Sequence, residues 1–126
     1  MDTREKIVAA ATVGSLLRQG AWIAVAGLFD PLTALQANRI ASFRREGKRV
    51  IAIVERGEDT LMTPEARAAL IAALRTVDAV TIADRASSIV PPNSKIDLIQ
   101  DAAGETARSR QFIEFVLERQ RIPDNQ

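Results

Sequence analysis

Residues 21–40 read AWIAVAGLFDPLTALQANRI, and this stretch decides the fold class. The apolar run AWIAVAG at residues 21–27 is typical of a strand that is buried on both faces of a parallel sheet. Asp30 is predicted to cap the helix that follows, with Pro31 at its first position. A strand that passes directly into a helix indicates an α/β protein, and such junctions commonly bind phosphate groups.

The rest of the chain continues this alternation of apolar strands and helices. A first helix is predicted from a cap at Asp2 or Thr3 to Gly20, with Ile7, Val8, Ala11, Leu16 and Leu17 near one face. The helix after Pro31 ends at Gly47, and its predicted inner face is Leu32, Leu35, Ile40 and Phe43. Strands are predicted at residues 49–55 and 79–83, and a third helix, capped by Thr63, at residues 64–77.

The last third is less regular. Residues 84–95 form a predicted loop, and residues 95–102, KIDLIQDA, are either a short helix or a strand followed by a turn. A long final helix is predicted at residues 105–121, with the apolar stripe Phe112, Ile113, Val116 and Leu117. Short strands that alternate with longer helices imply right-handed crossovers and a parallel sheet. We therefore expect an α/β fold, a single Rossmann-like domain over residues 1–126 with helices on both faces of the sheet.

Composition excludes several classes of function. The 126 residues suffice for one domain, and 17 basic against 16 acidic residues give a net charge of +1. This balance argues against a nucleic-acid or membrane surface, since such partners usually require a basic excess. No apolar run approaches the ~20 residues of a membrane span, and the first residues do not resemble a signal peptide. The predicted location is the cytoplasm.

The chain lacks both cysteine and histidine. The absence of cysteine excludes disulfides, a thiolate nucleophile and thiolate metal ligands. The absence of histidine removes the commonest general base at neutral pH and the commonest zinc ligand. A magnesium site made of carboxylates alone stays open, but no set of metal ligands is predicted.

Two motifs carry a resemblance to a known family. GLFD at residues 27–30 and TPEARAALIAALRTVDAV at residues 63–80 resemble the cytidylyltransferase-like branch of the nucleotidylyltransferase superfamily, of the heptose-phosphate adenylyltransferase and glycerol-phosphate cytidylyltransferase type. The resemblance covers about residues 16–84. It implies binding of a nucleotide, CTP or ATP with Mg²⁺, a sugar or polyol phosphate as acceptor, and a homodimer.

The centre of the family motif differs. Where the family has H-x-G-H, this chain has Thr33, Ala34, Leu35 and Gln36. Neither Thr33 nor Gln36 can carry the positive charge that stabilises departing pyrophosphate, and loss of one such donor typically costs ~10²–10³ in rate. No catalytic residue is therefore predicted, although Thr33 and Gln36 stand at the histidine positions. The candidate nucleotide- or phosphate-binding residues are Gly27, Leu28, Phe29, Asp30, Thr33, Gln36 and Arg39.

Three functions remain open at this point. The first is a degenerate nucleotidylyltransferase-like domain that is catalytically impaired and keeps some nucleotide or phosphate binding. The second is an active enzyme that moves CMP or AMP to a sugar or polyol phosphate, with Thr33, Gln36, Arg39 and a downstream arginine replacing the histidines. The third is a structural homo-oligomer whose pocket is filled by side chains such as Leu35.

Each feature also has a purely structural interpretation. GLFD can be a turn in which Asp30 caps a helix, and Thr33 and Gln36 can be first-turn residues that face solvent. The arginines of the second helix, Arg39, Arg44 and Arg45, can form a solvated basic face, and Arg67 and Arg75 of the third helix can form surface ion pairs. Trp22 is predicted to pack in the core or at an interface, because a buried indole contributes a large apolar area.

Overall fold

The strand predicted at residues 21–27 forms the inside of a parallel sheet. The computed structural model describes residues 2–44, 47–91 and 96–100, and in it this strand, β1, spans Trp22–Gly27 with all six residues buried. Helix α1 (Ala10–Leu17) precedes it, and α2 (Ala34–Arg44), β2 (Arg49–Glu55), α3 (Pro64–Ala72), β3 (Ala79–Ala83) and β4 (Asp97–Gln100) follow.

The four strands are parallel and lie in the order β3-β2-β1-β4. The first residue of β1, Trp22, is in register with Arg49 of β2, while Ile51 of β2 is in register with Ala79 of β3. On the other side of β1, Ile23 is in register with Asp97. This all-parallel sheet with intervening helices confirms the predicted α/β, Rossmann-like fold.

Alternate side chains of β1 pack into two cores, one on each face of the sheet. Ile23 and Val25 join a cluster that contains Ile40 of α2 and Ile71 of α3. The intervening alanines, together with Trp22, join a second cluster that contains residues of α1. Because both faces are covered, polar side chains are excluded from the middle of β1, and the predicted helices on both faces are confirmed.

The first predicted helix is wrong over its first half. Thr3–Lys6 forms a 3-10 helix capped by Asp2, and α1 begins only at Ala10. Between them Ile7 forms a parallel bridge with Val80, and the Val8 N–H donates to the Val80 carbonyl at 2.8 Å. This pairing with β3 outweighs the helical preference of the local sequence.

The remaining elements follow the predictions more closely. The bounds of β2 and β3 are those predicted, and α3 begins after its predicted cap Thr63, whose Oγ1 accepts from the Ala66 N–H at 3.1 Å. The predicted extension of α3 to residue 77 is wrong, because the helix ends at Ala72. Of the two alternatives for residues 95–102, the structure forms a strand, β4. The predicted final helix lies outside the described residues, and within them no helix is both long enough and apolar enough to cross a bilayer.

Candidate functional site

The corner between β1 and α2, residues 27–36, lies at the carboxyl end of the sheet, where open α/β folds usually bind ligands. Gly27 closes β1 opposite Val54 of β2, and Leu28 is half-buried. Phe29 is 1% exposed and has a φ of 51°, a left-handed conformation that bulky residues seldom adopt. Its ring packs in the same core as Ile40 and Val54, and this packing holds the backbone in that conformation.

The carboxylate of Asp30 is committed to a loop. It accepts hydrogen bonds from the backbone N–H groups of Leu61 and Met62, at 2.6 and 2.8 Å, and the residue is 5% exposed. The prediction that Asp30 caps the helix is wrong, because the helix begins at Ala34. Asp30 instead fastens the segment before α3 to the corner, and its negative charge disfavours a phosphate placed beside it.

Thr33 and Gln36 bond to each other. The Gln36 N–H donates to Thr33 Oγ1 at 3.2 Å, and the Thr33 N–H donates to Gln36 Oε1 at 3.0 Å. This reciprocal pair is a capping box, the arrangement in which residues three apart satisfy helix-start donors of one another. The interpretation of Gln36 as facing solvent is wrong, since it is 2% exposed. The side-chain oxygens at the two predicted histidine positions thus stabilise the start of α2.

Leu35 does not fill the corner. Its side chain is 56% exposed, so the prediction that it belongs to the inner face of α2 or plugs the pocket is wrong. A cavity beside the corner measures about 10 Å³ and is lined by Val25, Phe29, Gln36, Arg39, Ile40, Phe43 and Ile99. A space of this size accommodates about one water molecule. Phe29 and Gln36, rather than Leu35, occupy the corner.

Sequence reasoning missed the role of Arg67. Its side chain is fully buried, and its guanidinium donates to the carbonyl oxygens of Leu28, Glu55, Arg56 and Met62 at 2.6–3.2 Å. It therefore joins the ends of β1 and β2 to the start of α3, and the surface interpretation is wrong. The sequence did contain an indication, because Arg67 is four residues before the apolar Ile71 and so shares its helix face.

The other predicted residues are dispersed. Arg39 is exposed on α2 and lines the small cavity. Trp22 is buried and its Nε1–H donates to the Gln19 carbonyl at 3.0 Å, as expected of a core residue. In the described ranges no three carboxylates come together in a way that could hold a metal ion.

Compared with models of known protein families and with curated proteins, the chain matches none. What the corner can bind is therefore inferred from its own contacts. Those contacts are a buried carboxylate bound to a loop, a capping box and a guanidinium bound to backbone carbonyls. The cation among them, Arg67, donates to backbone carbonyls, and the exposed Arg39 borders the small cavity beside the corner.

Proposed function

We propose that this chain is a catalytically inactive nucleotidylyltransferase-like domain that acts as a binding or assembly module. The observation that carries the proposal is the reciprocal bond between Thr33 and Gln36. In the family that the chain resembles, these two positions hold histidines that contact nucleotide phosphates. Here the same positions supply hydrogen bonds to the helix start.

Electrostatics also argue against catalysis at the corner. Transfer of a nucleotidyl group requires preorganised positive charge at the departing pyrophosphate. The corner instead holds the carboxylate of Asp30, and the charge of Arg67 points at strand-end carbonyls. The capping box occupies the side-chain oxygens of Thr33 and Gln36, and a hydroxyl or amide donor can offer a phosphate no positive charge.

Pyrophosphate release tests this proposal. The purified chain is supplied with CTP or ATP, Mg²⁺ and a panel of sugar and polyol phosphates, beside the triple variant Thr33→His, Leu35→Gly and Gln36→His. We expect no release from the natural chain above the buffer background. Turnover by the natural chain at about 1 s⁻¹ or faster, the ordinary range for enzymes, would overturn the proposal. Turnover gained only by the triple variant would support an inherited site.

Thermal unfolding separates a binding module from a purely structural one. A nucleotide present at a hundred times its Kd stabilises the native state by about 2.7 kcal/mol. A rise in melting temperature with CTP or ATP would support retained nucleotide binding, and its absence would favour the structural homo-oligomer. Sedimentation tests the homodimer, which is expected in either case. The cytoplasm stays the proposed location.

A further inference from the structure

An open groove lies at the amino ends of the strands, at the opposite end of the sheet from the corner. It has a volume of about 430 Å³, within the range typical of small-molecule sites. Its walls include the first residues of three strands, Trp22, Arg49 and Ala79, and the complete lining is Glu5, Lys6, Val8, Leu16, Trp22, Arg44, Arg49, Asp78 and Ala79. The proposed function makes no use of this groove.

The positive charge of Arg49 is not used in an ion pair within the described part of the chain. Its guanidinium carbon lies 5.7 Å from the centroid of the Trp22 ring, a cation–π distance. Within the described part of the chain, no carboxylate or carbonyl accepts a hydrogen bond from this guanidinium, and the side chain is exposed. The contact with the ring holds the guanidinium beside Trp22, and because both residues line the groove, the N–H donors of Arg49 are available there.

Lys6 and Arg44 also line the groove, so that it has three cations against two acids, Glu5 and Asp78. Asp78 bonds Arg44 with one oxygen and accepts the Val50 N–H with the other at 2.9 Å. This hydrogen bond with Asp78 raises the pKa of Arg44, so that guanidinium stays charged. Lys6 donates one hydrogen bond, at 3.0 Å, to the Leu74 carbonyl, and two of its three donors are left for other partners.

We propose that this groove binds a small organic anion, a phosphate or carboxylate group carried on an apolar body. Arg49 binds the acid as a planar fork, which matches the geometry of both groups. Lys6 provides a second positive charge, and Val8 and Leu16 supply apolar surface for the body. The site lies at the amino ends of the strands, and it is independent of the corner and of the proposed function.

The fluorescence of Trp22 tests this proposal, because it is the only tryptophan of the chain. The ring lies at the start of β1, five residues before Gly27, which at ~3.3 Å per residue is roughly 16 Å from the corner. The probes are phenyl phosphate and benzoate, with benzyl alcohol as the neutral analogue and inorganic phosphate as the anion without a body. We expect a saturable change with one or both organic anions, and their relative affinities distinguish phosphate from carboxylate.

Variants assign the effect to the groove. Arg49→Gln should weaken binding about tenfold or more, the usual loss for a charge-assisted hydrogen bond. Arg75→Gln, which removes an exposed arginine outside the groove lining, should leave the affinity unchanged. Because Arg49→Gln also alters the emission of Trp22, the affinity of each variant is measured independently by calorimetry.

Three results would overturn the proposal. The first is no saturable response to either organic anion up to about 10 mM, beyond the weak end of specific binding. The second is equal affinity of the natural chain and Arg49→Gln. The third is a response to benzyl alcohol as strong as that to the anions.

Discussion

Replacing Arg67 should destabilise the protein strongly. The guanidinium is fully buried and donates to four carbonyl oxygens, three of which, those of Leu28, Glu55 and Arg56, lie at or just beyond the ends of β1 and β2. Arg67→Met keeps much of the apolar stem and removes every one of these donors. The carbonyls are then left buried without this partner, and each such group costs about 1–3 kcal/mol.

The four losses do not add in full, since water can reach strand ends once the guanidinium is gone. We therefore expect a loss of about 3–5 kcal/mol, the range found when a buried charged network is broken. For a domain of this size the melting temperature should fall by roughly 10–20 °C. The measurement is urea unfolding followed by circular dichroism at constant pH, with the free energy extrapolated to water.

Two variants serve as references. Arg67→Lys retains the charge, but its three donors cannot serve four carbonyls in the fork geometry, so an intermediate loss is expected. Arg75→Met removes an exposed arginine close to the end of α3 and should change stability by no more than about 0.5 kcal/mol. A loss below about 1 kcal/mol for Arg67→Met, or one equal to that of Arg75→Met, would refute the assigned role.

Three smaller predictions concern the described backbone and its caps. Gly14→Ala, inside α1 with open space around the added Cβ, should stabilise by about 0.5–1 kcal/mol, whereas Gly20→Ala, at a φ of 102°, should destabilise by about 1–2 kcal/mol; urea unfolding checks both. Asp30→Asn leaves one oxygen for two backbone donors and should lower the free energy of unfolding by about 1–3 kcal/mol. An unchanged urea midpoint would contradict the role of Asp30 in holding the segment before α3. Hydrogen bonds from Arg4 lower the pKa of Asp2 in the folded chain, so the stability from this pair is present above the unfolded pKa and is lost as pH falls below about 4. Asp2→Asn should therefore differ from the natural chain at pH 7 and not in strong acid, and a difference that persists in acid would argue against an ionic origin.

The elements that were predicted correctly are those whose burial follows from their own residues. The apolar runs of β2 and β3 have the bounds that were predicted, because a strand covered on both faces excludes polar residues along its whole length. The start of α3 was also predictable, since Thr63 followed by proline is a local capping pattern. These features depend on neighbours within a few positions.

The features that were mispredicted depend on distant partners. Asp30 has the side chain of a helix cap, but its acceptors are taken by backbone N–H groups 31 and 32 positions later. Ile7 has helical spacing, yet it pairs with Val80 of the sheet. The capping box of Thr33 and Gln36 is an exception, because it is local, and threonine followed three residues later by glutamine is its sequence pattern.

The strand order has a consequence for the order in which the chain folds. Trp22 pairs with Arg49, 27 positions later, whereas Ile23 pairs with Asp97, 74 positions later. Closing the longer loop costs about 0.9 kcal/mol more in chain entropy, by the logarithmic dependence of closure on length. We therefore expect β1, β2 and β3 to associate first and β4 to join them afterwards. During synthesis, the edge of β1 that receives β4 stays open until the ribosome has passed Gln100.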